Sequence, residues 1–127
     1  MTERVFKRGE IYWVNLENEE ENEPEYQDKK PKPKGAESQK SRPGVIISNR
    51  KQNQFSNAVI VSLITSQVDK IYPFEVEITC EGQRSKILTD QIYTVDKIRL
   101  ERKMGSLTEK QLTALAKALH IVFELED

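Results

Sequence analysis

Several polar side chains stand where an apolar run begins or ends, and these residues are the best placed to do chemistry. Arg42 closes a basic segment that includes Lys40, and it directly precedes Pro43 and a short apolar run. A guanidinium in this position is anchored on one side and open on the other, which suits bidentate contact with a phosphate. Arg42 is therefore a candidate anion-binding residue, although a surface arginine at the start of a strand has the same pattern.

Two polar pairs occur beside other apolar runs. Thr65 and Ser66 follow the most apolar run of the chain, and Asp90 and Gln91 stand near the end of a weaker one. The first pair brings two hydroxyls to the end of a core strand, and the second adds a carboxylate and an amide. Each pair taken alone is also typical of an ordinary turn. Their order along the chain is more informative than any one of them.

The chain has one cysteine and one histidine, which excludes several kinds of site. A single thiol forms no internal disulfide, and a single imidazole leaves no histidine cluster for zinc. Cys80 ends an alternating run and is predicted to be a buried structural thiol. His120 is predicted to lie on the solvated side of a helix, near its C-terminal end, where positive charge is favourable. We therefore expect no metal and no cofactor.

Short strands must position these side chains. Aromatic, β-branched and alternating runs predict the strands Gly9–Leu16, Pro43–Asn49, Asn57–Ile64, Phe74–Cys80 and Lys86–Thr94, with a weaker one at Leu100–Gly105. The nearly continuous apolar character of the third strand predicts burial on both faces, and the strict alternation of the fourth predicts one solvated face. Short strands separated by turn residues are typical of a small barrel or rolled sheet.

A helix is predicted at the end of the chain. Apolar residues recur at helical spacing in two adjacent rows between Leu112 and Leu125. Thr108 and Gln111 have the spacing of a capping box just before them. The apolar arc is wider than a helix needs to lie on one sheet. This width predicts either deep burial of the helix or contact of the second row with another subunit.

One segment, Glu17–Ser41, differs from the rest of the chain. It is acidic up to Asp28 and basic from Lys29 onward, and it has almost no apolar residue. It cannot bury enough surface to offset its ordering entropy, so the sequence predicts a long, mobile polar loop between the first two strands. Its length exceeds the ~12–15 residues of most loops in compact domains, and longer loops tend to be functional or disordered.

Length and composition set the remaining limits. The 127 residues suffice for one domain, predicted to span 1–127, and the formal net charge of −1 gives no global sign of a nucleic-acid partner. No apolar run reaches the ~20 residues of a membrane span, and the first residues have no signal-peptide character. We therefore predict a cytoplasmic protein without membrane contact. The segregated charges of the loop make the local field more informative than the sum.

Four motifs in order resemble the MazF/PemK-like toxins, the mRNA interferases of bacterial toxin–antitoxin pairs. They are Gly9-Glu10-Ile11-Tyr12-Trp13-Val14, Arg42-Pro43-Gly44-Val45-Ile46-Ile47-Ser48-Asn49, Val59-Ile60-Val61-Ser62-Leu63-Ile64-Thr65 and Asp90-Gln91-Ile92-Tyr93-Thr94-Val95-Asp96-Lys97. The resemblance implies a small SH3-like barrel with a C-terminal helix, mainly β in class. It places the catalytic residues of the family on Arg42 and Thr65, and its RNA-lining acidic–glutamine pair on Asp90 and Gln91. Leu88 and Tyr93 stand where members of the family often carry arginine.

The resemblance also implies a function. The expected protein is a homodimer that binds single-stranded RNA across its interface and is blocked there by an antitoxin protein. The expected reaction is metal-independent cleavage by the RNA 2′-OH. Apart from the resemblance, we predict that Ser66 and Lys40 are further substrate contacts and that the polar loop, which ends next to Arg42, is a gate that closes on RNA. The alternative is a non-enzymatic barrel that poisons a protein target, as the gyrase-inhibiting CcdB toxins do.

Overall fold

The computed structural model describes residues 4–16 and 40–125, and these form a mainly β fold with a C-terminal helix, as predicted. The elements are β1 (Glu10–Asn15), β2 (Ser41–Ile46), α1 (Arg50–Phe55), β3 (Ala58–Thr65), β4 (Val76–Cys80), β5 (Gln83–Asp96), β6 (Leu100–Ser106) and α2 (Glu109–Phe123). A turn of 3-10 helix, Lys97–Arg99, joins β5 to β6. Of the predicted loop Glu17–Ser41, only the last two residues are described. The predicted end of the loop at Ser41 is wrong, because Ser41 already belongs to β2.

The six strands form one antiparallel sheet in the order β4-β5-β3-β2-β1-β6. The sheet is curled into a half-barrel. β1 lies between β2 and β6, where Asn15 is opposite Ser41 and Glu10 is opposite Ser106. The backbone N–H of Leu16 also donates to the carbonyl of Lys40 at 3.2 Å. The chain therefore leaves β1 and enters β2 at the same corner of the sheet.

Apolar side chains pack on both faces of the sheet. On one face, which we call the barrel face, the curl of the sheet buries a cluster that includes Phe6, Val14, Ile46, Val61 and Val95. On the other, the helix face, strand residues pack against α2, with Leu115 and Ala118 buried in the contact. Burial on both faces explains why β3 is nearly continuously apolar. The alternating burial of β4 confirms its predicted solvated side.

Helix α2 begins at its predicted capping residues, but it is not deeply buried. The capping box is complete: the N–H of Gln111 donates to Thr108 Oγ1 at 3.1 Å, and the N–H of Thr108 donates to Gln111 Oε1 at 2.8 Å. Beyond this turn, Ile121, Phe123 and Leu125 each remain more than half exposed. Deep burial of the helix is therefore wrong, because the C-terminal end of its apolar arc remains at the surface.

Helix α1 has no counterpart among the predicted elements. It carries little apolar periodicity, and only its N-cap is a recognisable signal, since the Asn49 side chain accepts from Gln52 N–H. Its anchor is the buried amide of Asn53, which donates to the carbonyls of Phe6 and Ser48 at 3.0 and 3.1 Å. A buried amide satisfied in this way fixes the helix without an apolar face.

The predicted surroundings of Cys80 and His120 agree with the structure. Cys80 is 7% exposed, and burial raises the pKa of its thiol, which agrees with a structural role. His120 is exposed in the last turn of α2, as predicted. In the described part of the chain, no helix is long and apolar enough to cross a membrane.

Candidate active site

Arg42 lies at the start of β2, and its neighbours fix it there. Ser41 is fully buried, and its hydroxyl donates to Glu101 Oε1 on β6 at 2.7 Å. The Arg42 side chain is half-buried, and its Nη1 donates to the carbonyl of Ser41 at 3.2 Å. Lys40, also half-buried, precedes this anchor. The structure thus places Arg42 at the start of a strand, where the sequence put it, and its role as an anion-binding residue stays a prediction.

Thr65 is the last residue of β3, one residue beyond the predicted end of this strand at Ile64. Its Oγ1 accepts the N–H of Gln67 at 3.2 Å, a short turn that orients the hydroxyl. Ser66 follows at the surface. The structure therefore places one half-buried and one exposed hydroxyl at the end of β3.

The strand register relates Arg42 to Thr65. Antiparallel pairing of β2 with β3 runs from Ile46 opposite Val61 to Gly44 opposite Leu63. Continued two residues beyond these pairs, the same register would bring Arg42 opposite Thr65. Both residues have the parity of the side chains on the barrel face, since residues directly opposite each other in a sheet share a face. A guanidinium and a hydroxyl therefore belong to one row at the open end of these strands.

Asp90 and Gln91 occupy a different place from the one predicted. They lie in the interior of the 14-residue strand β5, not near its end. The β3–β5 register is broken there, because Ser62 pairs with Ile92 whereas Leu63 pairs with Leu88. Such irregularities re-aim side chains, and both residues are exposed. The break begins two ladder steps from Thr65, so the pair flanks the row of Arg42 and Thr65.

Lys86 is a residue of this region that sequence reasoning missed as a site residue. It stands directly opposite Thr65 in the β3–β5 ladder, and its side chain is only 10% exposed. Its Nζ forms an ion pair with Glu75 Oε1 at 2.8 Å and donates to the carbonyl of Lys70 at 2.6 Å. The sequence gives no clear signal for this role, because Lys86 only begins the predicted strand and its partner Glu75 is contributed by the segment before β4.

These groups are suited to binding a phosphate. Arg42 offers a fixed, delocalised cation and several donors, and Thr65 and Ser66 offer hydroxyls. Within residues 4–16 and 40–125, no three histidine, cysteine, aspartate or glutamate side chains come together as a potential metal site. The arrangement can bind and polarise a phosphodiester through its side chains.

A cavity elsewhere in the molecule is separate from this row. It has a volume of about 190 Å³ and is lined by residues that include Phe6, Asn53 and Lys97. Helix α1 follows the end of β2 that is remote from Arg42, and Lys97 follows the residue paired with Ala58 at the start of β3. The cavity thus lies at the opposite end of the central strands.

Comparison with known proteins agrees with the fold and with the motifs. The family model described as PemK-like, MazF-like toxin of type II toxin-antitoxin system matches residues 7–123. Endoribonuclease EndoA of Bacillus subtilis (strain 168) is 32% identical over 128 residues, covering 97% of this chain and 98% of that protein.

Two solved structures share the fold. The Mycobacterium tuberculosis toxin MazF-mt6 matches with a TM-score of 0.70 and 23% identity, over 93% of this chain and 99% of the other. A mycobacterial endoribonuclease in complex with its cognate antitoxin matches with a TM-score of 0.69 and 20% identity, over 95% and 97% of the two chains. Because the family model spans nearly the whole chain, this protein belongs to the PemK-like, MazF-like toxin family of type II toxin–antitoxin systems.

Proposed function

We propose that this protein is an endoribonuclease that cuts single-stranded RNA. The observation that carries the proposal is that Arg42 lies at the start of β2 and Thr65 ends the antiparallel neighbour β3, in a chain of this toxin family. The B. subtilis relative is named an endoribonuclease, which supports the same activity here. It also favours this proposal over the alternative of a barrel that poisons a protein target.

The proposed reaction uses the nucleophile that RNA itself carries. The 2′-OH gives up its proton to water as its oxygen attacks the adjacent phosphorus, the bond from phosphorus to the 5′-oxygen breaks, and the 5′-oxygen takes up a proton from water. The products are a 2′,3′-cyclic phosphate and a 5′-OH. Arg42 stabilises the charge that develops on the phosphoryl oxygens, since arginine remains charged in proteins. Thr65 donates to a phosphate oxygen and helps to align the reacting groups. No metal ion is required in this scheme.

The flanking polar residues are proposed as substrate contacts. Ser66 follows Thr65 in the chain and is exposed, and Lys40 lies two residues before Arg42. Asp90 and Gln91 are exposed at the register break of β5, where they can hydrogen-bond the edges of unpaired bases.

Two partners complete the proposal. An antitoxin protein is expected to block the RNA site, because a structurally similar endoribonuclease has been solved with its cognate antitoxin. A second copy of the chain is expected to pack against the exposed apolar residues at the end of α2, which are Ile121, Phe123 and Leu125.

The proposal is tested by incubating purified protein with a long RNA in EDTA and mapping the new ends. We expect discrete cuts, 5′ ends that accept phosphate from a kinase without prior phosphatase treatment, and 3′ ends that are cyclic phosphates. A 2′-deoxy substitution at one cut site should abolish that cut alone. Activity that disappears in EDTA and returns with magnesium would refute the metal-free mechanism. Intact RNA under all conditions would refute the nuclease and leave the protein-poisoning alternative.

A further inference from the structure

Two aromatic rings stack on each other in the segment between β3 and β4. The ring centroids of Tyr72 and Phe74 are 5.5 Å apart and the ring planes differ by 7°. Tyr72 is 42% exposed, whereas Phe74 is half-buried behind it. Large exposed aromatic residues are costly to leave in water, and a ring supported from one side presents a ready surface for another flat group.

The segment that carries these rings is held firmly. Glu75 Oε1 accepts the N–H of Tyr72 at 2.9 Å, and the N–H of Glu75 donates to the carbonyl of Tyr72 at 2.9 Å. The same carboxylate is paired with Lys86, and the two side chains are only 5% and 10% exposed. Thr89 on β5 donates to the carbonyl of Phe74. The aromatic pair is therefore fixed to the sheet by hydrogen bonds on both sides.

The pairing of the sheet places the rings on the side of the candidate active site. Lys86 is directly opposite Thr65, so the two side chains project from the same face. The Nζ of Lys86 then reaches the segment after Thr65 and lies 5.8 Å from the centroid of the Tyr72 ring. The side chain of Lys86, the residue paired with Thr65, thus reaches the exposed ring of Tyr72.

A cation stands beside the exposed ring. The Nζ of Lys70, an exposed residue, lies 4.8 Å from the centroid of Tyr72. Its flexible side chain can move from the ring to a phosphate when a base takes its place. Aromatic rings with adjacent cations are the usual means of binding single-stranded nucleic acid, because bases stack on the rings and the cations contact the backbone.

We propose that Tyr72, supported by Phe74, is a stacking platform for one nucleobase of the RNA, close to the bond that is cut, with Lys70 contacting a flanking phosphate. This proposal rests on the proposed RNA cleavage and adds a base-binding position to it. Stacking accepts any base, so the platform contributes affinity and register along the strand and leaves base discrimination to other groups.

The test uses a short RNA that spans a mapped cut site, made resistant by a 2′-deoxy nucleotide at that site. Each nucleotide around the site is replaced in turn by an abasic one, and the affinities of the parent protein and of Tyr72→Ala are compared. We expect Tyr72→Ala to bind the intact RNA roughly 10-fold to 100-fold more weakly, the range for loss of one stacked base. One abasic position should weaken binding to the parent by a similar factor and leave binding to Tyr72→Ala unchanged.

Two variants control for other effects. Tyr72→Phe keeps the ring and should retain the affinity of the parent. Phe55→Ala removes a ring that is 77% exposed on α1, at the remote end of β2, and should also leave the affinity unchanged. Circular dichroism and urea unfolding establish that each variant is folded.

Three outcomes would overturn the proposal. Equal affinity of Tyr72→Ala and the parent would show that no base stacks there. Equal sensitivity of both proteins to every abasic position would mean that Tyr72 acts only by shaping its segment. A parent protein that cuts no RNA in the mapping experiment would remove the proposed function itself, and the base platform with it.

Discussion

At the scale of single residues, Arg42 owes its usefulness to what surrounds it. The preceding residue, Ser41, is buried and its hydroxyl donates to Glu101. The Arg42 guanidinium donates to the backbone carbonyl of Ser41. An arginine side chain has many rotamers, and each contact that limits them lowers the entropic cost of holding a phosphate. A cation fixed in this way is already oriented when the charge of the transition state develops.

Replacement of Arg42 or Thr65 should reduce RNA cleavage sharply. We expect Arg42→Ala and Thr65→Ala each to lower the rate by about 10² or more, the scale for loss of one preorganised donor. Arg42→Lys should recover little, because an ammonium cannot make the two parallel contacts of a guanidinium. Single-turnover cleavage of a labelled RNA measures the effect. Parent-like rates in Arg42→Ala would contradict the assignment.

Tyr12 gives the fold a dependence on alkaline pH. Burial, and then the carboxylate of Glu10, which accepts the hydroxyl at 3.2 Å, raise the pKa of Tyr12 above its ordinary value of 10.0. The unfolded chain thus loses this proton at lower pH than the folded chain does. The stabilising contribution is complete below pH 10 and is lost as the pH rises through the higher pKa of the folded state.

Tyr12→Phe should therefore flatten the alkaline side of the stability profile. The variant lacks the hydroxyl, so the part of the loss that comes from its ionisation should be absent. Urea midpoints measured at several values between pH 8 and pH 11 compare the two proteins. Parallel decline of parent and variant above pH 10 would show that other groups cause the alkaline loss.

At the scale of elements, the buried pair of Lys86 and Glu75 joins the segment after β3 to β5. Removal of one partner from a buried ion pair typically costs about 3–5 kcal/mol, because the remaining charge is left in a poorly solvated place. We expect Lys86→Met to lose stability on this scale in urea unfolding. The double variant Lys86→Met with Glu75→Leu should lose less than the single one. Arg84→Met, which breaks the exposed pair with Glu77, is the matched control and should have little effect.

The elements also show how far sequence patterns reach. The presence of β1 to β4 and the capped start of α2 were predictable because local periodicity and capping residues specify them. The bounds were less so, since β2 begins two residues before the predicted strand and β3 ends one residue after its own. Helix α1 was not, since it is held by the buried amide of Asn53 instead of an apolar face. β5 runs from Gln83 to Asp96, longer than the predicted strand at both ends, because its polar termini still pair with β4 and β3.

The candidate site was predictable in its residues and less so in its geometry. Arg42 and Thr65 could be placed at strand ends from the apolar runs beside them. Their alignment depends on the β2–β3 register, and the position of Asp90 and Gln91 depends on the break in the β3–β5 register. Both are long-range pairings that local sequence does not encode. The contact of Lys86 with Glu75 was hidden for the same reason.

At the scale of the whole molecule, the end of α2 leaves an apolar surface uncovered. Ile121, Phe123 and Leu125 are exposed by 53%, 55% and 54%. Clustered exposed apolar residues at the end of one helix are typical of a contact between subunits. A twofold interface would also bring two copies of the Arg42 and Thr65 row into one assembly.

Sedimentation at low micromolar concentration should give a mass near twice 14.7 kDa. Ile121→Glu should shift the protein toward the monomer, because a carboxylate would be buried in the contact. Lys117→Glu places the same side chain on the exposed polar side of α2 and should leave the dimer intact. A parent protein that sediments as a monomer would contradict the homodimer.

The position of β1 within the sheet has a practical consequence. This strand is nearly all buried, it is paired on both sides, and the chain leaves it at Leu16 beside the point where it returns at Lys40. A chain cut between those two points would consist of a peptide that carries β1 and a larger fragment that carries the other five strands. The peptide would fill the gap between β2 and β6 by backbone pairing. Neither piece holds the complete sheet. We therefore expect each piece alone to leave RNA intact and the mixture to regain cleavage as the amount of peptide is raised.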